Sequence, residues 1–108
     1  MGYMSHHAIV VTTWDEALIK EAHAEASELF PWVSPISPVA INGYRSFFVP
    51  PDGSKEGWPY SNMANGLRDR FVEFLVVRRC LDWVEVQFAD DGEDNKITRH
   101  GPVPSDGY

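Results

Sequence analysis

Side chains able to do chemistry are few in this chain. They are four histidines (His6, His7, His23 and His100), one thiol (Cys80), and the run 42–60, NGYRSFFVPPDGSKEGWPY, which sets Arg45, Ser54 and Lys55 among aromatic rings, prolines and glycines. A metal centre would need strand ends that bring His6 or His7 beside His100 with a carboxylate near by. Neighbours on a strand point to opposite faces, so at most one of His6 and His7 can serve such a site, and no metal is assigned. Cys80 follows Arg78 and Arg79, whose charge favours a thiolate; with Leu81 beside it at a helix-to-strand junction, it reads as a packed, inert thiol. The two-histidine phosphoesterase pattern needs His-x-Thr or His-x-Ser twice, and His7-Ala8-Ile9 and His100-Gly101-Pro102 both lack the hydroxyl. The acidic run 90–95, DDGEDN, lacks the alternating spacing and closing glutamate of a calcium loop and reads as a solvated hairpin tip.

Gly53-Ser54-Lys55-Glu56-Gly57 lacks the spacer and the Gly-Lys-Ser/Thr ending of a phosphate loop. Weaker anion capture by backbone N–H groups, helped by Lys55 and Arg45, is the chemistry left to it. Asp52, Glu56 and Asp82 carry carboxylates that spacing alone does not pair. These residues assign no catalytic group and no cofactor.

The run 42–60 is the strongest candidate for a working surface. It is too long for a tight turn and too rich in rings for disorder. Phe47 and Phe48 occupy opposite faces of a strand, so one enters the core while the other, with Trp58 or Tyr60, lines a surface concavity. With Arg45, Ser46 and Lys55 at the rim, such a wall suits a planar or anionic small ligand, or a hot spot for a protein. The candidate binding residues are Arg45, Phe47, Ser54, Lys55, Trp58 and Tyr60, with His7 near by. The plainer alternative is that the run folds over one sheet face and completes the core.

The elements that must position these residues follow from periodicity. Residues 8–12, AIVVT, form a continuous apolar, β-branched run, the pattern of a central strand covered on both faces. Thr13-Trp14-Asp15-Glu16 has the form of a capping box, and Leu18, Ala22, Ala26, Leu29 and Phe30 repeat at helical spacing until Pro31 ends the helix. Pro31, Pro35 and Pro38 make a stiff extended connection. Asn42-Gly43 signals a turn into a strand at 44–49. Ser61 or Asn62 caps a second helix to about Arg78, with Met63, Leu67, Phe71, Phe74 and Leu75 on one face. Residues 81–88, LDWVEVQF, alternate as a half-exposed strand with Val84, Val86 and Phe88 inward and Trp83, Glu85 and Gln87 outward. Residues 97–100 return as an edge strand, and 101–108 read as a frayed tail.

The predicted fold is α+β (or α/β), in the order β-α-β-α-β-β, with two helices on a small sheet. The β-α-β opening favours parallel pairing and the final hairpin antiparallel, so the sheet is expected to be mixed. At 108 residues the chain is one domain able to bury its own core. The net charge of −7 disfavours a nucleic-acid partner. A single cysteine suits a reducing compartment, and no apolar run approaches a membrane span. Residues 1–7 lack the order of a signal peptide. A cytoplasmic protein with no membrane partner is expected.

The stretches SHHAIVVTTWDEALIKEAHAEA, SPI, NGYRSFFVPPDGSKEGW and LDWVEVQF resemble small uncharacterised proteins encoded by tailed bacteriophages and prophages. The resemblance covers most of positions 5–100 and is loosest over 62–80. It implies a viral or prophage origin and no activity. Three functions are consistent with these readings. The first is a binding module that grips a host protein or small molecule through 42–60. The second is a small enzyme on a phosphorylated or nucleotide substrate, with His7 or His100 as base and Arg45 or Lys55 as anion clamp. The third is an assembly protein that self-associates through the 97–100 edge or an outer Trp83 surface.

Overall fold

The computed structural model describes residues 5–54, 57–89 and 95–102. Strand β1 (Ser5–Thr13), helix α1 (Glu16–Leu29), β2 (Arg45–Val49), α2 (Pro59–Val76), β3 (Asp82–Ala89) and β4 (Lys96–Gly101) follow in the expected order. They make an α+β domain with one four-stranded sheet, ordered β2-β1-β3-β4. The acidic run at 90–94 and the tail at 103–108 lie outside the described residues.

Every strand pair is antiparallel, so the expected parallel β1–β2 crossover does not form. The cause lies in the proline-rich connection. After α1 the chain runs along the outside of β2 before Asn42 and Gly43, both at positive φ (63° and 79°), reverse it into that strand. Pro35 and Pro38 have no N–H to pair, and serines do the pairing instead. The Ser34 and Ser37 backbone N–H groups donate to the carbonyls of Phe48 (3.0 Å) and Ser46 (2.7 Å). Their hydroxyls accept from the N–H groups of the same two residues, at 2.9 and 3.0 Å. The outer edge of β2 is thereby sealed.

Helix α1 begins two residues later than a box starting at Thr13 implies. Asp15 is the N-cap, its carboxylate accepting from Leu18 N–H at 3.0 Å. Thr13 is occupied elsewhere, donating its hydroxyl to the Cys80 carbonyl at 2.8 Å. Helix α2 starts earlier than Ser61, with Pro59 in the first turn, where its missing N–H costs nothing.

Ile19, Ala22 and Ala26 of α1 and Phe71, Val72 and Leu75 of α2 pack with Phe30 on one face of the sheet, against Ile9, Val11, Phe47, Val49 and Trp83. The rings of Phe30 and Phe47 lie 6.0 and 6.4 Å from that of Phe71. In register, Val11 stands opposite Phe47 and Trp83, and Ile9 opposite Val49 and Glu85. This reverses the expected orientation of β3: Trp83 and Glu85 face the helices, and Val84, Val86 and Phe88 face away. It also leaves β1 covered on one face only.

Candidate functional site

The face turned away from the helices forms a grid of four rows. Ser46, Thr12 and Asp82 make the first row, and Phe48, Val10, Val84 and His100 the second. Ala8, Val86 and Ile97 follow, and then His6 and Phe88. Antiparallel sheets with one wet face normally place polar residues there. Here Val10 is 37% exposed, Phe48 42%, Phe88 39% and Ile97 62%, with half-buried Val84 and Val86 between them. Polarity is confined to the end rows and the β4 edge: Thr12 and Ser46 share a hydroxyl hydrogen bond of 2.8 Å, the His6 ring lies 5.1 Å from that of Phe88, and exposed His100 stands beside Val84.

Two hollows open on this face and share Val10. One, of about 410 Å3, is lined by Val10, Ser34, Pro35, Ser37, Ser46, Phe47 and Phe48. The other, of about 220 Å3, lies between Val10, Thr12, Asp82, Trp83, Val84 and Gly101. In the larger, the Ser34 and Ser37 hydroxyls accept from β2 and donate to the carbonyls of Pro35 and Pro38 at 3.1 Å. Those donors are already used, so the hollow offers chiefly apolar contact.

The residues expected to form a binding site do not converge. Phe47 is 3% exposed and belongs to the core; Phe48 is the ring left outside. Ser54 is buried, its hydroxyl donating to Asp52 at 2.6 Å, which leaves it unsuited to anion capture. Trp58 and Tyr60 sit half-exposed at the start of α2. The Tyr60 ring lies 6.3 Å from Trp32, whose indole N–H donates to the Pro50 carbonyl at 2.8 Å. Arg45 is 3.9 Å from Glu16. His7 stands opposite Gln87 and Arg45 opposite Thr13, a separation of about 20 Å along β1 at a strand's rise per residue. The base and clamp of the expected enzyme are therefore not assembled from this pair. Lys55 lies outside the described residues.

Two further expectations are corrected. Cys80 is exposed, not packed, because the junction that carries it turns its backbone carbonyl, not its side chain, toward Thr13. Trp83 is buried and offers no outer surface; its indole N–H has no hydrogen-bond partner among the described residues, and its ring lies over Gly101. Any Cβ at Gly101 would overlap that ring.

Sequence reasoning missed a charged cluster under the helices. Buried Glu85 accepts from Arg99 Nε and Nη2, both at 2.8 Å, and from the Thr98 hydroxyl at 2.7 Å. Arg99 also reaches Asp69 of α2 at 3.0 Å, and buried Arg68 donates to Asn65. Burial pushes the Glu85 carboxyl up, yet the hydrogen bonds from Arg99 and Thr98 and the charges of Arg99 and Arg68 outweigh it and hold its pKa below the ordinary value. Desolvation lowers that of Arg68, against the attraction of Asp52 and Glu85. The cluster fastens β4 to β3 and α2. Its only sequence signal was a glutamate on a strand, which alternation had assigned to solvent.

Among the described residues no three His, Cys, Asp or Glu side chains come together as metal ligands, and no helix is long and apolar enough to cross a membrane. No family model, curated protein or solved structure matches the chain.

Proposed function

We propose that the protein is a non-catalytic cytoplasmic binding module that engages a protein partner through the uncovered face of its sheet. The observation that carries this reading is the apolar centre of that face, where Val10, Phe48, Phe88 and Ile97 are exposed side by side with Val84 and Val86. Contiguous apolar surface of this kind marks interaction sites. The run 42–60 contributes Phe48 to it, while Phe47 anchors the same strand in the core. A protein is favoured over a polar metabolite, since the Ser34 and Ser37 hydroxyls in the larger hollow are already engaged. A viral origin, as the sequence resemblance implies, would make a host or viral protein the partner.

Val84→Lys tests the reading. Wild type and variant are each immobilised and offered host lysate and, separately, the wild-type protein. Bound protein recovered by wild type and lost with Val84→Lys, at an unchanged melting midpoint, is the expected result. Equal recovery by both would overturn it.

A further inference from the structure

Beside β2 the proline-rich connection forms a wall. Ser34 and Ser37 are each tied to that strand through both N–H and hydroxyl, and between them the chain divides the two faces of the sheet. Ile36 packs against the core on the helix side. Pro35 borders the larger hollow on the other side, together with Phe48 and Val10, which are register partners on β2 and β1. Proline fixes its own φ, and the serines on either side hold the connection to β2, so the walls stand in place before anything binds.

The chemistry of the lining is narrow. No charged side chain contributes to it. The Ser34 and Ser37 hydroxyls donate away from the hollow, to the carbonyls of Pro35 and Pro38, and the Ser46 hydroxyl pairs with that of Thr12. Water held against such walls is poorly bonded, and an apolar group that displaces it gains free energy. A charged group would give up hydration with no counter-ion to offset the loss. For an anion, the net charge of −7 adds repulsion. The smaller hollow differs in carrying the Asp82 carboxylate.

We propose that the larger hollow is a binding site for an uncharged aromatic molecule of one or two rings, seated against the rings of Pro35 and Phe48. Its volume of about 410 Å3 falls within the roughly 300–1,000 Å3 of small-molecule sites. A dry apolar cavity of about 150 Å3 already accepts benzene. Phe48, 42% exposed, has ring surface left for a second ring to stack on or meet edge to face. The site goes beyond the protein-partner reading and does not depend on it, since Val84 is not part of the lining.

Indole, titrated into the isotope-labelled full chain and followed through the backbone amide signals by NMR, tests the proposal. The expected result is a saturable shift at Ser34, Ser37, Ser46 and Phe48, with a Kd of about 1 mM or tighter. Indole-3-acetate and tryptamine, which add a negative and a positive charge, should bind at least about tenfold more weakly. Phe48→Ala removes a wall and should weaken indole about tenfold, whereas Ile97→Ala, on the same face outside the hollow, should leave it unchanged. A dispersed spectrum shows that each variant is folded. Shifts that do not saturate, equal affinity for the three probes, or indifference to Phe48→Ala would overturn the proposal. Val84→Lys should keep indole binding while losing protein capture. If capture by wild type persists and indole does not bind, this site falls and the protein-partner reading stands.

Discussion

The two faces of the sheet are built from alternate residues of the same strands, yet one is a core and the other a surface of similar apolar character. On the covered side Ile9, Val11, Phe47 and Val49 meet the stripes of α1 and α2. On the other side Val10, Phe48, Val84 and Val86 meet no helix. The comparison shows that hydrophobic composition does not say which face is inside. Helix placement and register decide it.

The largest effect that can break the comparison is on the paired phenylalanines. Phe47→Ala should cost about 3–5 kcal/mol, as for a ring removed from a packed core. Phe48→Ala should cost under about 1 kcal/mol, since the ring is 42% exposed. Urea unfolding of the two variants side by side measures the difference. Equal costs would mean that both faces are interior.

Next in size is Glu85→Gln, which tests how a carboxylate is tolerated on the covered face. Removing the charge takes the buried counter-ion from Arg99 and Arg68; we expect a loss of about 3 kcal/mol, at the low end for a broken buried pair because Asp69 still pairs with Arg99, whose side chain is 37% exposed. Glu85 has a folded pKa below its unfolded one, so its stabilisation is complete above the unfolded value of about 4.3. It is lost as pH falls from there through the folded pKa. Wild type should therefore lose stability over that acid range, and Glu85→Gln should lose less, as thermal melts across pH would show.

Gly101→Ala probes the edge of the covered face. The added methyl must displace the Trp83 ring, at a cost of about 1–3 kcal/mol, visible as a lower melting midpoint and altered tryptophan emission. Trp58→Ala sharpens the contrast from the other direction. Trp58 is 49% exposed and provides no side-chain cap to α2, so we expect a loss of under about 1 kcal/mol by urea titration. A loss of several kcal/mol would return 42–60 to the role of core cover.

Much of the architecture was legible in the sequence because periodicity reports local structure directly. The run AIVVT announced a central strand, and the Leu18–Ala22–Ala26 spacing announced α1. Asn42-Gly43 marked the turn into β2. The helix starts slipped because several residues at each could serve as cap. At α1, Thr13 lost that role to Asp15 by bonding to Cys80, a residue 67 positions away. The candidate site was legible only through Ser46 and Phe48 of β2. The rest of the grid comes from β1, β3 and β4, whose neighbourhood no local pattern encodes.

The sequence by itself determined the element order, the two amphipathic helices and the alternation of each strand, since these depend on residues within a turn or two of one another. Tertiary structure alone decided that Trp83 and Glu85 turn inward. A strand's alternation defines two faces without naming either, and Arg99 and Thr98, from a different strand, make a buried carboxylate tolerable. It likewise decided the all-antiparallel sheet, because the hydrogen bonds that dock 34–40 on β2 form only once the chain has folded back upon itself.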